Sequence, residues 1–157
     1  MEFISRSAEQ TRRAGMRLGA MLQPGDIICL VGDLGSGKTT LMQGIAAGWG
    51  SLDAVSSPTF VLVNVYRRPH GQRLFHLDAY RLTNAAEAVD LDLDVMITQG
   101  PLVIEWADHI KEALPQERMW VAMRWVDDPQ RDLIVSAQGR RYQVLLVDFR
   151  RKLFGVV

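Results

Sequence analysis

Several things are scarce in this 157-residue chain, and each scarcity removes a class of protein. Cysteine occurs once, at Cys29. Neither an internal disulfide framework nor a cysteine-based metal site can form within one chain, and Cys29, set in an apolar run, reads as a small buried hydrophobe. No sign of charge dominates, since 18 Lys and Arg balance 18 Asp and Glu. That argues against a broad, sequence-independent grip on nucleic acid, which needs a basic surface. No apolar run approaches the ~18 residues of a membrane span, and Met1-Glu2-Phe3-Ile4-Ser5-Arg6 lacks a signal peptide's apolar core. Repeats, linkers and low-complexity tracts are missing as well. The expectation is a cytoplasmic protein without membrane contact, one domain over residues 1–157, long enough to bury a real core.

Against these absences one stretch stands out. Gly32-Asp33-Leu34-Gly35-Ser36-Gly37-Lys38-Thr39 matches G-x-x-x-x-G-K-[ST], the phosphate-binding loop of nucleoside triphosphatases. Ile27-Ile28-Cys29-Leu30-Val31 ahead of it is short, apolar and β-branched, as a buried strand should be. Behind it, Leu41, Met42, Ile45, Ala46 and Trp49 recur at helical spacing, so the loop joins a strand to a helix. A polyphosphate must meet many backbone N–H donors at once. Gly32, Gly35 and Gly37 allow the chain to curl into such a nest, and the helix N-terminus adds unpaired N–H groups and partial positive charge. The reading makes ATP the ligand of Asp33, Leu34, Gly35, Ser36, Gly37, Lys38, Thr39 and Thr40, with Lys38 bridging the β- and γ-phosphates and the Thr39 hydroxyl on Mg²⁺.

The rest of the chain supplies the frame. Ser7-Ala8-Glu9-Gln10 reads as a capped helix start, the helix running to about Met21 with Ala14, Leu18 and Met21 or Leu22 inward. Thr11 on it is a candidate for base or ribose, although a surface position is the simpler reading. Phe60 to Tyr66 and Arg73 to Asp78 read as strands around the turn Arg67-Arg68-Pro69-His70-Gly71, too close in sequence for a crossover helix and so a hairpin. A helical stretch from Asn84 to Gln99 ends at Gly100-Pro101. Leu102-Val103-Ile104-Glu105 is a buried strand, Asp108 to Leu114 a short helix, and Met119 to Val126 and Leu133 to Ala137 two more strands. Tyr142 to Phe149 fits helix or strand. The fold class is α/β of the P-loop NTPase type, three-layered, with a mixed, mostly parallel central sheet that includes an antiparallel hairpin.

A phosphate loop alone binds nucleotide; hydrolysis also needs a metal-side carboxylate and a group that orients water. Asp78 and Glu105 each end an apolar strand, where α/β sheets place ligands. Glu105 has the form of a Walker B residue and takes the Mg²⁺ role directly or through water. Asp78 polarises the attacking water or completes the metal shell, and the sequence does not say which carboxylate does which. With Lys38 these two are the catalytic candidates. Thr59, in Ser57-Pro58-Thr59, lies where GTPases keep a γ-phosphate-sensing threonine; a plain turn is its alternative. Arg81 could stabilise charge on the phosphoryl group or bind a partner. His76 reads as a satisfied sheet histidine, and Trp106 as core, partner contact or site.

Taken in this order and spacing, the phosphate loop through Thr40, Ser57-Pro58-Thr59-Phe60, His76-Leu77-Asp78-Ala79-Tyr80-Arg81-Leu82 and Ile104-Glu105-Trp106 resemble the TsaE family over roughly residues 7–140. That resemblance implies a weak ATPase of tRNA threonylcarbamoyladenosine (t6A) biosynthesis. It implies partners from the TsaB and TsaD families, which modify adenosine 37 of ANN-decoding tRNAs and are reset by the ATPase between turnovers, with tRNA met only through the complex. It places Lys38 and Thr39 on phosphate and Mg²⁺, Glu105 on Mg²⁺, Asp78 and Trp106 in the essential site, Thr59 as a switch, and Gln130 or Arg131 against the nucleotide. Ser36 stands where the family usually has Ala, Leu91-Asp92-Leu93 lacks a usual glycine, and the tail from Arg150 has no counterpart.

Three other readings compete. A small kinase shares the loop but needs an acceptor pocket and an arginine-rich lid. A GTPase normally carries an N/T-K-x-D motif, which this sequence does not contain. A nucleotide-sensing adaptor would bind without turnover.

Overall fold

The computed structural model describes residues 1–55 and 62–155. Strands β1 (Glu2–Ser5), β2 (Ile27–Val31), β3 (Val63–Arg68), β4 (Gln72–Asp78), β5 (Leu102–Glu105), β6 (Arg118–Asp127) and β7 (Gln130–Gln138) form one sheet in the order β1-β7-β6-β2-β5-β4-β3. β6, β2, β5 and β4 run parallel at its centre, and β3 and β7 are antiparallel to their neighbours. β1 pairs antiparallel with β7, so five of the seven strands share one direction and the sheet is mixed but mostly parallel.

Strand alternation builds a core on each face. Ile28, Leu30, Val103, Met119, Val121 and Met123 point toward α1 (Ala8–Gly19), α2 (Lys38–Trp49) and α5 (Arg140–Phe154). Ile27, Cys29, Leu102, Ile104, Phe75 and Leu77 point the other way, toward α3 (Ala85–Val89), α4 (Leu93–Gln99) and the 3₁₀ turns of Ala107–Ala113. Helices therefore cover both faces, and Cys29 is fully buried.

α1 and α2 meet through a seam of glycines. A Cβ on Gly15 would lie 2.4 Å from the Leu41 carbonyl oxygen, and one on Gly19 2.0 Å from that of Ile45. From the other side, Cβ atoms on Gly44 and Gly48 would lie 2.1 and 1.9 Å from the carbonyl oxygens of Arg12 and Met16. Two glycines four residues apart on each helix thus let the backbones touch, and α2, which begins at the phosphate loop, is seated on α1 without intervening side chains. At the opposite end, Arg141 forks onto Asp26 at 2.8 and 3.0 Å, and the Ile27 N–H donates to the Tyr142 hydroxyl at 2.9 Å, tying α5 to the start of β2.

Several details differ from the sequence expectations. α1 is capped by Ser7, whose hydroxyl accepts from the Gln10 N–H, but it ends at Gly19 and Gln10 reaches back to the N–H of Arg6 rather than that of Ser7. Thr11 is not a surface position. It is buried, and its hydroxyl is 2.6 Å from that of Ser5. The helical stretch expected from Asn84 to Gln99 is two helices, because Asp92 takes a left-handed backbone (φ 54) between them. β3 runs on through Arg67 and Arg68, whose pairing with Arg73 and Gln72 confirms the hairpin. β1 was not expected: four residues without strict alternation carry too little pattern, and its partner lies far along the chain. Tyr142 to Phe149 lies within α5, which takes in the tail through Phe154 because Tyr142, Leu145 and Phe149 bury one helical face. Among the described residues, no helix is long and apolar enough to cross a membrane.

Candidate nucleotide site

At the carboxyl ends of the parallel strands the phosphate loop opens onto a cavity of about 530 Å³, within the range of small-molecule sites. Gly32, Gly35 and Gly37 have φ of 148°, 79° and 102°, a region costly for side chains. Gly37 caps α2, so Lys38 and Thr39 open the helix at its positive end.

Lys38 is folded onto its own loop. Its buried ammonium donates to the carbonyl oxygens of Gly32 and, at 2.8 Å, Asp33, and to Ser36 Oγ at 3.3 Å. It also lies 4.0 Å from the Trp106 ring centroid. Burial pulls the Lys38 pKa below the ordinary lysine value, and the charges of Glu105, Asp33, Asp108 and Asp78 oppose that pull.

The carboxylates face this cation by strand register. Asp78 and Glu105 are partners on the parallel pair β4–β5. Leu74, His76 and Asp78 share one face of β4, and Val103 and Glu105 share it on β5; this is the face against which α2 packs. Asp78 Oδ1 accepts the Tyr80 N–H at 3.0 Å, which closes a tight turn after β4. Glu105 is buried, with Oε2 2.6 Å from His76 Nε2, and the Tyr66 hydroxyl is 2.9 Å from His76 Nδ1. Trp106 follows with a left-handed backbone (φ 58, ψ 38), a conformation costing about 1–3 kcal/mol for such a residue. Its ring packs against Tyr80 at 4.9 Å and His109 at 5.4 Å, which holds it beneath Lys38.

The structure thus brings Leu34, Gly35, Ser36, Gly37, Lys38, Thr39 and Thr40 together with Asp78 and Glu105 around one cavity, with Tyr80, Arg81, Trp106 and Arg131 also on its wall. Asp33 contributes its carbonyl to Lys38 but does not line the cavity. Gln130 also stays off the wall. Thr59 lies outside the described residues. Leu62 and Asn64 on or beside β3 line the cavity, and sequence reasoning missed them. His76 is satisfied, as expected, but by a site carboxylate. The signal was available: His76 stands two residues before Asp78 and so on the same face of the strand.

The residues fit a polyphosphate. Glycine positions with positive φ, a helix N-terminus and a lysine form the cradle, and Arg131 Nε on the cavity wall is buried with no hydrogen-bond partner among the described residues. They also fit a hard cation held jointly with a phosphate. Among the described residues no three His, Cys, Asp or Glu side chains cluster tightly enough to hold a metal alone. The Thr39 hydroxyl and the two carboxylates offer the few oxygen ligands Mg²⁺ needs when water and phosphate complete its shell.

A mixed sheet whose second strand runs into a phosphate loop at a helix N-terminus is the P-loop NTPase fold. The family model described as "Threonylcarbamoyl adenosine biosynthesis protein TsaE" matches residues 5–133. The chain is 37% identical over 143 residues to the Bacillus subtilis (strain 168) tRNA threonylcarbamoyladenosine biosynthesis protein TsaE, covering 91% of this chain and 89% of that one. It is 39% identical over 137 residues to the Streptomyces coelicolor protein of the same description, covering 83% and 93%. The crystal structure of YdiB from Bacillus subtilis superposes with a TM-score of 0.80 at 32% identity, over 97% of this chain and 95% of that one. This chain belongs to the TsaE family.

Proposed function

We propose that this protein binds and slowly hydrolyses ATP as the nucleotide-driven member of the machinery that makes t6A at position 37 of ANN-decoding tRNAs. On this reading it works with TsaB- and TsaD-family partners and resets their complex between turnovers. The observation that carries the chemistry is the opposition of Lys38 and the phosphate-loop glycines to Asp78 and Glu105 across one cavity. The biological setting rests on family membership.

Lys38 would exchange its loop carbonyls for the β- and γ-phosphate oxygens, recovering as charge-assisted hydrogen bonds what it gives up. The backbone N–H groups at the start of α2 would hold the phosphates in line. Thr39 and Glu105 would hold Mg²⁺, which would supply neutralisation of the polyphosphate charge. Asp78, fixed by the Tyr80 N–H, orients water for attack on the γ-phosphoryl group. Arg131, on the wall beside Gly37, lies where it can meet phosphate charge. Arg81 lines the same cavity.

The test is phosphate release by the purified chain, alone and with a TsaB–TsaD pair, with ATP and GTP in parallel. Slow release stimulated by the pair and specific for ATP supports the reading. Binding without release points to a nucleotide-sensing adaptor, and transfer of phosphate to a small acceptor points to a kinase.

A further inference from the structure

Beside Glu105 a histidine that also lines the cavity and a tyrosine form a buried chain that the proposed hydrolysis does not itself use. His76 on β4 is 4% exposed and Tyr66 on β3 is likewise 4% exposed. Tyr66 pairs across the hairpin with Leu74, which sets it diagonal to His76, and the two rings stack at 5.8 Å. Nε2 of His76 is 2.6 Å from Glu105 Oε2, and Nδ1 is 2.9 Å from the Tyr66 hydroxyl.

The donors sort themselves. A carboxylate only accepts, so Nε2 carries the hydrogen toward Glu105, and Nδ1 then accepts the Tyr66 O–H. Burial first, then the charges of Glu105 and Asp53, push the Tyr66 phenol up to about 12, so it keeps its proton as a donor. The chain therefore runs one way, Tyr66 O–H to His76 Nδ1 and Nε2–H to Glu105 Oε2. It pins one carboxylate oxygen and fixes the plane of the carboxylate on the cavity wall. Without it, Glu105 is a three-torsion side chain on the last residue of a four-residue strand.

We propose that His76, oriented by Tyr66, is the positioning residue of Glu105 and sets the rate of ATP turnover through its hold on that carboxylate. The inference rests on the ATPase reading above. It differs from a packing role in what it predicts, because a packing histidine can be exchanged for an apolar side chain at no cost to turnover by the folded fraction.

The test compares wild type with His76→Leu, His76→Gln and Tyr66→Phe in the full chain. It measures kcat, KM for ATP and thermal unfolding, and records the imidazole ¹⁵N signals of nucleotide-free protein. Loss of an outer-shell partner typically costs about 10–100-fold. His76→Leu should lose kcat on that scale with KM and unfolding temperature near wild type. His76→Gln, which keeps an N–H for Glu105, should recover much of the loss, and Tyr66→Phe should fall between. The ¹⁵N spectrum should show Nε2 carrying a proton, its signal altered by Glu105→Gln. Unchanged kcat in His76→Leu, in a protein where Glu105→Gln lowers kcat strongly, overturns the proposal and leaves the ATPase reading standing. So does a ring whose Nε2 carries no proton. A wild-type protein that binds but never hydrolyses ATP overturns the ATPase reading, and this proposal with it.

Discussion

The two walls of the cavity are held in different ways. The donor wall, from the phosphate loop to Lys38 and Thr39, rides on α2, and α2 is seated by backbone-to-backbone contact with α1 at Gly15, Gly19, Gly44 and Gly48. The acceptor wall, Asp78 and Glu105, owes its place to strand register within β3–β4–β5. The helices beneath that half are short, five residues in α3 and seven in α4. Position on the donor wall is thus a matter of helix packing, and on the acceptor wall a matter of hydrogen-bonded register. Damage to the first should weaken nucleotide binding and stability together. Damage to a carboxylate should remove turnover and spare both.

The sharpest break is Lys38→Ala. It removes the ammonium from the centre of the donor wall, and charge-assisted hydrogen bonds are worth about 1.5–3 kcal/mol each. Affinity for ATP should fall by roughly 100-fold or more by titration calorimetry; unchanged affinity would take Lys38 out of the cradle. On the opposite wall, Glu105→Gln should cut kcat by on the order of 100-fold while ATP affinity and unfolding temperature stay close to wild type. A parallel loss of affinity would erase the distinction between the walls.

Gly48→Ala probes the seam itself, since the new methyl would sit 1.9 Å from the Met16 carbonyl oxygen. Forced overpacking costs about 1–3 kcal/mol, read as a lower denaturant midpoint, and ATP affinity should weaken with it because α2 carries the loop. Stability without a change in affinity would show that the loop does not depend on the seam.

The smallest effect concerns β2, the strand between the two walls. Burial raises the Cys29 thiol from 9.0 to about 12. In the unfolded chain the thiol loses its proton near 9, while the folded chain keeps it. Between these values the unfolded state binds fewer protons, so stability falls as pH rises, by at most about 1.4 kcal/mol per unit. Cys29→Ala should flatten that part of the decline in denaturation curves taken from pH 8 to 10. An unaltered slope would assign the loss to other groups, Tyr66 first among them.

Much of this was legible before any coordinates. The phosphate loop, the hairpin and both strand-end carboxylates follow from patterns confined to a few neighbouring residues. What escaped depends on pairs distant in sequence. The seam is two unremarkable glycine pairs until the helices are laid together. Asn64 enters the cavity only because β3 pairs with β4 and sets Asn64 opposite His76. Thr11 looked like a surface position because Ser5, the hydrogen-bond partner of its hydroxyl, lies on an edge strand of only four residues. The left-handed turn at Trp106 has no local sequence mark of the kind glycine gives.

The order of the strands has a consequence for how the protein comes into being. β2, which ends in the phosphate loop, lies between β5 and β6, and β1 waits for β7, with Glu2 opposite Ile134. Closing such long loops is slow, since entropy is spent before any contact repays it. A growing chain that has just made its phosphate loop has neither the strands that flank it nor the carboxylates that face it. Residues through the β6–β7 hairpin must leave the ribosome before the cradle can close, so nucleotide should bind the finished protein and not its nascent fragments.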